Sequence, residues 1–509
     1  MPSLSKPKFM TAFSLSQEST SRPKKVDALG SQYPQYSFDL NKAKIIDYNQ
    51  ELATELSLDE NDIQHLKPLL LGSEPSPHSY SYNYGGHQFG HWADQLGDGR
   101  AIVIGSLLDK EKNEHEIQLK GSGPTPFSRR GDGFAVLRSS VREYLASEAL
   151  HQLGIPTTRA LSLGLSGEKV LRDKFYDGNA KYETGAIVAR SARSFIRFGN
   201  FELLASRNKS KELKDLLIYV IDEFYPQINS KSHDISQLAP MLLKEVLIGS
   251  SKLVASWQSI GFTHGVLNSD NMSIISDTID YGPYGFLENF DTSYTPNTSD
   301  LPGRRYAFGR QPQIVSWNLS CLASAFLSIS SEESLVEVLK EYEDRYSKDW
   351  SHKLREKFGY TELQNPELKV IERFFDLMEQ DSLDMTYIFR QLSESIRDTR
   401  DEVFLDYLPK SFSSNQIKDW STWYETFKKT SLGSQQGEKM CRVNPRIVLK
   451  NHTLHQAIEG LEQGDSSIFN QLKAMIMEPY QDWQGQEKFF APAPDWAQSK
   501  DIQMNSCSS

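Results

Sequence analysis

The chain has 509 residues and a formal net charge of −11, and apolar side chains make up 38% of it. This length suggests two to four lobes of roughly 100–200 residues each, with enough apolar residues for large cores. The negative charge argues against sequence-independent nucleic-acid binding, which needs Lys and Arg to neutralise phosphates. No apolar run is long enough for a membrane helix. We therefore expect neither nucleic acid nor a membrane among the partners.

The three cysteines are too few and too scattered for a disulfide framework or a Cys-rich zinc site. The N-terminus lacks the apolar region of a secretory signal peptide. Residues 1–25 fit a plain disordered tail better than a transit peptide. We therefore expect a cytoplasmic protein, or a mitochondrial one if the source is eukaryotic.

Along the chain, segments without regular spacing of apolar residues alternate with segments in which this spacing is helical. The segment 1–35 is polar and contains Pro and Ser, which predicts a mobile or extended stretch. The final thirty residues are rich in Pro, Gly, Trp and Ser and predict an extended tail. Apolar residues at helical spacing predict helix over 45–70 and 137–153 and over most of 235–260 and 330–400.

A glycine turn followed by two predicted strands occupies residues 97–120. Gly97 and Gly99 precede Arg100, a β-like run follows, and the second strand ends at Lys120. Glycines let a backbone approach phosphate closely, and a lysine supplies a positive charge. A surface hairpin with a solvated lysine explains the same pattern more simply, so this segment alone does not establish a nucleotide site.

A second glycine turn, over 131–133, precedes the helix predicted over 137–153. Asp132 would either cap that helix or hold a group of a nucleotide. The helix carries Glu143 and Glu148, and in kinases a helix glutamate pairs with the strand lysine. The spacing does not choose between the two glutamates, and each is also explained as an exposed side chain.

Two arginines, Arg190 and Arg197, lie seven residues apart. Seven residues are about two helical turns, so a helix would place both on one face. Guanidinium groups bind phosphate oxygens in a bidentate manner. A solvated basic helix face is equally compatible with this spacing.

The most specific stretch of the sequence lies within 262–282. Kinase catalytic loops carry a His, an Asp two residues on and a metal-binding Asn five residues after that Asp. An Asp–aromatic–Gly motif follows, and its carboxylate holds magnesium. His264, Asn271 and Asp280 occupy the matching positions, whereas Val266 stands where the catalytic Asp belongs.

The valine changes the chemistry that this loop can perform. Valine cannot accept a proton from a hydroxyl group, but Asp270 lies nearby and has a carboxylate that can take its place. Asn271 and Asp280 offer hard oxygen ligands, which suit Mg²⁺. Three explanations stay open: an inactive nucleotide binder, a phosphotransferase with a displaced base, or different chemistry on the same nucleotide.

Long blocks of the chain, from about residue 30 to the C-terminus, resemble the selenoprotein O family of pseudokinases. The blocks are YGGHQFGHWADQLGDGRA (84–101), LKGSGPTPFSRRGDGFAVLRSSVREYLASEAL (119–150), GIPTTRAL (154–161), ARSARSFIRFGNFE (189–202), GFTHGVLNSDNMSIISDTIDYGPYGFLENFD (261–291) and the terminal Cys507-Ser508-Ser509. The resemblance implies an adenylyltransferase that transfers AMP from ATP to Ser, Thr or Tyr hydroxyls of other proteins. ATP would lie reversed in the cleft, with its α-phosphate towards the acceptor.

The resemblance also implies roles for single residues. Lys120 would contact phosphate and pair with Glu143, which selects that glutamate. Asp270 would accept the proton, while Asn271 and Asp280 hold Mg²⁺ or Mn²⁺. The other expected nucleotide contacts are Gly97, Gly99, Arg100, Asp132, Gly133 and Asp280, with Arg190 and Arg197 at the buried terminal phosphates.

The architecture expected from the motifs and the resemblance is an α+β, two-lobed, protein-kinase-like fold with extra helices in the C-terminal part. The expected divisions are a disordered or extended segment (1–35), a nucleotide-binding N-lobe (36–200), a helical C-lobe with the catalytic and metal loop (201–400) and a C-terminal extension with a Cys-containing tail (401–509). Ordinary phosphotransfer and a non-catalytic nucleotide-binding scaffold are the rival functions.

Two further features concern histidine and cysteine. His87 and His91 have the spacing of half a helical zinc site, but the Glu of H-E-x-x-H is missing and nearby glycines favour a turn. Cys507 occupies the slot that holds selenocysteine in some members of the resembled family, which makes it a candidate redox group. Cys321 and Cys441 are the candidate partners for a regulatory disulfide, and no sequence argument pairs them.

Overall fold

The computed structural model describes residues 3–19, 25–398, 403–430 and 434–506. The strands are β1 (Ser16–Gln17), β2 (Gly30–Gln32), β3 (Lys44–Tyr48), β4 (Ser81–Tyr82), β5 (His87–Gln88), β6 (His91–Trp92), β7 (Ala101–Leu108), β8 (Glu114–Lys120), β9 (Ala135–Val136), β10 (Arg159–Arg172), β11 (Lys181–Ala192), β12 (Phe262–Thr263) and β13 (Gly285–Phe286). The helices are α1 (Lys8–Ala12), α2 (Gln50–Glu55), α3 (Glu60–Leu70), α4 (Leu137–Gln152), α5 (Phe198–Ser206), α6 (Ser210–Phe224), α7 (Ile235–Ser259), α8 (Gln311–Ala325), α9 (Glu332–Lys340), α10 (Tyr342–Phe358), α11 (Asn365–Gln380), α12 (Met385–Arg397), α13 (Val403–Asp406), α14 (Ser414–Thr430), α15 (Ser434–Val443), α16 (Asn451–Glu462), α17 (Ser467–Met477) and α18 (Lys500–Gln503).

An antiparallel sheet in the order β3-β10-β11-β8-β7 forms the core of the N-terminal half, and β9 pairs with β11. Its register decides which polar side chains meet. Arg190 on β11 lies opposite Gln118 on β8, and Val188 lies opposite Lys120. Because residues two apart in a strand share a face, Gln118, Lys120 and Arg190 project from the same side of the sheet.

The two faces of this sheet are covered by different helices. Helices α2 and α3 pack their leucines against Ile117 and Leu119 on one face. Helix α4 contacts β10 and β11 and places Val141 and Leu145 in the core that includes Val188. The face with Lys120 is therefore the face that α4 covers.

The sheet face that α4 covers also includes a buried carboxyl group on β8, at a position away from the helix. Glu116 accepts hydrogen bonds from the hydroxyl groups of Tyr80, at 2.5 Å, and Tyr82, at 2.8 Å. Burial raises the pKa of Glu116 to about 7, although both tyrosine hydroxyls act to lower it.

The C-terminal half is helical. The helices predicted within 235–260 and 330–400 are confirmed as α7 and as α9 to α12. Helices α10 to α15 contribute to a second core that is rich in aromatic rings, including Phe358, Phe374 and Trp420. The α+β fold with many helices in its C-terminal half is thus confirmed.

The prediction of helix throughout 45–70 was wrong at its start. Residues Lys44–Tyr48 form strand β3, which pairs with β10 at the edge of the sheet. Ile45 and Ile46 are β-branched and favour a strand. The chain turns into α2 only after Asn49, whose side chain accepts a hydrogen bond from the Leu52 amide and caps the helix.

Both ends of the described chain are more closely packed than their composition suggested. Leu4 and Phe9 are buried, and the Phe9 ring lies 4.6 Å from the ring of Tyr82. Near the other end, Phe489 and Ala497 are buried within short turns. A few apolar residues among many polar ones are enough to anchor such segments. Cys507 lies outside the described residues, and its redox role stays a prediction.

Within the described ranges, no helix combines the length and the apolar character that crossing a membrane requires.

Candidate active site

A cavity of about 1000 Å³ is lined by residues of both the sheet and the segment that follows α7. The predicted site residues that line it are Gly99, Arg100, Lys120, Asp132, Gly133, Arg190, Asp270, Asn271 and Asp280. Gly97, Glu143 and Arg197 lie behind this wall rather than in it. The predicted residues, distant in sequence, are thus brought together around one space.

Lys120 and Glu143 form a buried ion pair. Lys120 Nζ lies 2.7 Å from Glu143 Oε2 and 3.5 Å from Asp280 Oδ1. Burial lowers the pKa of Lys120, while Glu143 and Asp280 raise it and favour the charged amine. Glu148, the other candidate on α4, instead binds Arg159 through three hydrogen bonds of 2.8–3.0 Å. Neither glutamate is exposed.

The two arginines do not share a helix face, and the helical expectation for them was wrong. Arg190 lies in β11, and Arg197 immediately precedes α5. They converge on one carboxylate: Arg190 Nη1 donates to Asp280 Oδ1 and Arg197 Nη1 donates to Asp280 Oδ2, both at 2.6 Å. Their proximity comes from tertiary structure, not from a seven-residue repeat.

Each guanidinium group is held by further contacts. Arg190 Nη1 also donates to Glu143 Oε1 at 3.0 Å, and its Nε donates to Gln118 Oε1 at 2.7 Å. The Arg197 guanidinium lies over the Tyr84 ring at 4.4 Å and donates to the carbonyl of Asp270 at 3.1 Å. Both arginines are fully buried, so their rotamers are fixed by the fold.

Asp280 is the centre of this cluster. Its φ of +60° places a non-glycine residue in the left-handed region, a conformation that is uncommon and often found at functional sites. Burial acts to raise the pKa of Asp280, but Arg197, Arg190 and Lys120 outweigh it and hold the pKa well below its usual range. The carboxylate is therefore ionised throughout the physiological pH range.

Asp270 lies in the turn Ser269–Asn271 and has a different environment. Burial raises its pKa to about 7, while a hydrogen bond from Gln88 and the charge of Arg197 act to lower it. Gln88 Nε2 donates to Asp270 Oδ2 at 3.2 Å. Asp270 Oδ1 is buried and accepts no hydrogen bond from the described part of the chain. This carboxylate oxygen is thus shielded from solvent without a hydrogen-bond partner among those residues.

Asn271 is the last residue of the turn Ser269–Asn271, and Val266 lies just before this turn. Asn271 Nδ2 donates to the Val266 carbonyl at 2.8 Å, which fixes the orientation of the amide. Both residues line the cavity. The Val266 side chain therefore occupies the wall where a kinase would present its catalytic aspartate.

The glycine turns are shaped by close contacts with backbone and rings. A Cβ on Gly97 would lie 2.3 Å from the Phe127 ring, and one on Gly133 would lie 2.1 Å from the Gly123 carbonyl oxygen. Both glycines have positive φ. Gly97 is thus required by packing against Phe127 and does not face the cavity.

Asp132 does not cap helix α4, so that alternative was wrong. Val136 is the residue that precedes α4, and strand β9, which ends at Val136, separates Asp132 from the helix. Asp132 instead accepts two hydrogen bonds from the Arg172 guanidinium, at 2.7 and 2.8 Å, and lines the cavity. The Asp132 carboxylate is therefore already paired with the guanidinium group of Arg172.

Sequence reasoning missed Asp98, Gln118 and Gln88. Asp98 Oδ1 lies 3.6 Å from Arg197 Nη2, and its Oδ2 accepts from Gln118 Nε2 at 2.9 Å. The pKa of Asp98 is raised by burial, against the effect of Arg197 and Arg190. The position of Gln118 two residues before Lys120 in a strand was a usable signal, because it places both on one face.

The histidines near residue 90 lie in a turn, as the sequence favoured. Strands β5 and β6 form a short hairpin in which His87 pairs with Trp92 and Gln88 with His91. His87 Nδ1 lies 2.5 Å from Glu202 Oε2, whereas His91 is exposed. The two histidines do not form a joint metal site.

These contacts define a class of protein. A strand lysine paired with a helix glutamate, facing an aspartate of an Asp–aromatic–Gly motif and an Asn in the catalytic turn, is the arrangement of a protein-kinase-like nucleotide site. The additional arginines and the valine distinguish it from an ordinary kinase.

Comparison with known proteins identifies the family. The profile of the family described as protein adenylyltransferase SelO matches residues 22–477. A protein nucleotidyltransferase YdiU of Methylobacillus flagellatus is 42% identical over 488 residues, covering 92% of this chain and 93% of its own. The YdiU protein of Cytophaga hutchinsonii is 43% identical over 455 residues, covering 87% of each chain. The chain belongs to the protein adenylyltransferase SelO family.

A solved structure shows a weaker likeness. ROP2 of Toxoplasma gondii, described as a virulence factor with a protein-kinase fold and no enzymatic activity, is 11% identical and has a TM-score of 0.25. The match covers 75% of this chain and 97% of that one. A likeness this low carries no conclusion about function.

Proposed function

We propose that this chain is a protein adenylyltransferase, which transfers AMP from ATP to Ser, Thr or Tyr hydroxyls of other proteins and releases pyrophosphate. Family membership supports the reaction class. The observation that supports the proposal most directly is the convergence of Lys120, Arg190 and Arg197 on Asp280, which lines a cavity large enough for a nucleotide.

Three buried cations suit the polyphosphate of a nucleotide better than a single phosphate. In a kinase site of this type, one lysine serves the phosphates. Here Arg190 and Arg197 add two guanidinium groups, which bind phosphate oxygens in a fork. Lys120 and Arg190 line the cavity, and the positive charge of Arg197 lies directly behind that wall. A terminal pyrophosphate held there would have its developing charge stabilised as it leaves.

Asp270 is the residue that we assign to proton acceptance from the acceptor hydroxyl. Val266 has no group that can take a proton, and Asp270 lines the same cavity. A general base is most effective when its pKa lies near the working pH, and burial brings that of Asp270 to about 7.

Asn271 and Asp280 are the residues that would hold Mg²⁺ or Mn²⁺. Both line the cavity and offer hard oxygen ligands. Each Asp280 oxygen already accepts one guanidinium hydrogen bond, but a carboxylate has about four lone-pair sites, so the donor set fits a cation. A bound divalent ion would stabilise negative charge on the phosphates.

The remaining parts of the proposal concern location and partners. Few, scattered cysteines fit a reducing compartment, and we assign the protein to the cytoplasm. Its partners are ATP and the acceptor proteins, which are to be identified by the labelling experiment below.

The experiment follows each phosphate separately. The full chain is incubated with Mg²⁺ or Mn²⁺, a cell extract as acceptor, and ATP labelled at either the α- or the γ-phosphate. Label on protein from the α position alone supports AMP transfer, and mass spectrometry then identifies the modified hydroxyls. Label from the γ position alone would establish phosphotransfer instead, and none from either would favour a nucleotide-binding scaffold.

A matched pair of variants tests the site. Asp280→Ala removes the proposed metal ligand and should abolish transfer. Asp291→Ala removes an exposed carboxylate beyond the catalytic segment and should leave transfer unchanged. If Asp280→Ala keeps full activity while folded, the metal assignment is wrong.

A further inference from the structure

A second cluster of metal-ligating side chains lies beside the catalytic turn. His87 is in β5, Glu202 in α5 and Cys321 in α8, and one ligand atom from each lies within 4.8 Å of the other two. His87 Nδ1 and Glu202 Oε2 are already in contact at 2.5 Å. Three elements far apart in sequence thus deliver an imidazole, a carboxylate and a thiol to one point.

Glu202 supplies a second, independent sign of a ligand. Its side chain is 97% buried, since only 3% of its surface is exposed. Oε2 faces His87, but the buried Oε1 accepts no hydrogen bond from any residue that the structure describes. Burying a carboxylate oxygen without a partner is costly, and a cation in the cluster would remove that cost.

We propose that His87, Glu202 and Cys321 form a binding site for one borderline-soft divalent cation, with Zn²⁺ as the best match. Imidazole nitrogen, thiolate sulfur and carboxylate oxygen are the usual protein ligands of Zn²⁺. A thiolate and a carboxylate together balance the two positive charges, so the occupied site has no net charge. Three protein ligands leave a fourth position open.

The site differs in chemistry from the proposed magnesium site. Asn271 and Asp280 present only hard oxygen atoms, which favour Mg²⁺ or Mn²⁺. The thiol of Cys321 selects for a softer ion. The two cations therefore do not compete strongly for the same ligands.

Binding requires the loss of one proton. The S–H bond of Cys321 breaks, a sulfur–metal bond forms, and the proton passes to solvent. The neutral His87 imidazole keeps its single proton on the ring nitrogen that does not bind the ion. Burial raises the pKa of the Cys321 thiol to about 12, with Glu202 contributing, so the thiol is protonated without the ion. This also argues against a nucleophilic role, because reactive cysteines have a lowered thiol pKa.

The location suggests what the ion would hold together. Strand β5 and helices α5 and α8 each contact the turn Ser269–Asn271. The His87 amide donates to Ser269 Oγ at 2.7 Å, and the next residue, Gln88, donates to Asp270. A cation on His87 would therefore fix the β5–β6 hairpin against the two helices beside the catalytic turn. The binding itself does not depend on the transferase proposal.

Cobalt provides the direct test, because Co²⁺ occupies zinc sites and gives a thiolate-to-cobalt charge-transfer band. The full chain is stripped of metal and titrated with Co²⁺ in excess Mg²⁺, and then with Zn²⁺ as a competitor. We expect one Co²⁺ per chain, a charge-transfer band, and loss of the band on adding Zn²⁺. Absence of the band in the folded wild-type protein would overturn the proposal.

Variants identify the ligands. Cys321→Ser should remove the band, and Glu202→Gln should weaken Co²⁺ binding by at least roughly 100-fold, given the effects seen around metal sites. Cys441→Ser, Cys507→Ser and Asp280→Ala should keep the band, since they remove the other two thiols and the proposed magnesium ligand. A band that survives in Cys321→Ser would assign the metal elsewhere. Circular dichroism of each metal-free variant checks folding, and the wild-type titration decides the matter if a variant does not fold.

Discussion

Replacing Glu143 by Gln tests whether the buried ion pair positions Lys120, the lysine that we propose contacts phosphate. Glu143 contacts both Lys120, at 2.7 Å, and Arg190, at 3.0 Å, and is the nearest carboxylate to the lysine amine. Glutamine keeps the size of the side chain but removes its charge. Lys120 and Arg190 then share Asp280, which lies 3.5 Å from the amine and 2.6 Å from the guanidinium.

The expected effects follow from burial. Removing one partner of a buried ion pair costs about 3–5 kcal/mol, because a charge is left uncompensated. Asp280 offsets part of this loss, so we expect the lower end of that range for the free energy of unfolding. A residue that orients a catalytic group typically contributes roughly 10- to 100-fold to activity. We expect AMP transfer per folded molecule to fall by that factor, mainly in kcat.

Glu148→Gln is the matched control. Glu148 lies on the same helix, is equally buried and also binds an arginine, but its partner Arg159 is not part of the cavity wall. Both variants should lower the free energy of unfolding in urea, and only Glu143→Gln should lower kcat. The reasoning fails if Glu148→Gln reduces kcat as much, or if Glu143→Gln retains wild-type kcat.

Three further outcomes are expected. Asp270→Asn should reduce the initial rate of AMP transfer by roughly 10²-fold or more, whereas Val266→Ala should change this rate less than threefold. Equal effects of the two substitutions would refute the assignment of Asp270 as the base. Gly133→Ala should weaken ATP binding measured by calorimetry, because the added Cβ collides with the backbone. Gly131→Ala should not weaken it, because Gly131 has a negative φ and the closest contact of its added Cβ is 3.1 Å. Glu116 has a pKa of about 7 in the folded protein against 4.5 in the unfolded chain. Its contribution to the free energy of unfolding is therefore fully present below pH 4.5 and is lost as the pH rises through 7. At about 1.36 kcal/mol per pH unit, the loss is about 3 kcal/mol. Glu116→Gln should therefore be more stable than wild type at pH 8.5 and similar at pH 5, and urea unfolding with no such pH dependence would contradict the assigned pKa.

Local spacing was sufficient to predict a kinase-like segment within 262–282. His264, Asn271 and Asp280 are close in sequence, so their separation alone indicated a kinase-like loop. The glycine turn and the two strands that lead to Lys120 are also local features. These elements could be predicted because each depends on neighbours within a few residues.

The arginine pocket could not be derived in this way. A separation of seven residues fits a helix, but Arg190 lies in a strand and Arg197 lies before a helix. The run Ala186-Ile187-Val188-Ala189 before Arg190 is apolar and β-like, and it was the local sign of β11. The pairing of β11 with β8 is a long-range property, and register is set by the burial of whole faces rather than by one residue.

A buried functional cation requires a counter-charge, and this requirement links the predicted residues to the missed ones. Lys120, Arg190 and Arg197 carry three positive charges, whereas Glu143 and Asp280 supply only two negative ones. Asp98, 3.6 Å from Arg197, is the nearest group that can balance the remainder. Because isolated buried charges are strongly unfavourable, two buried arginines beside a buried lysine require a third acid nearby. Asp98, directly before the turn glycine Gly99, meets this requirement.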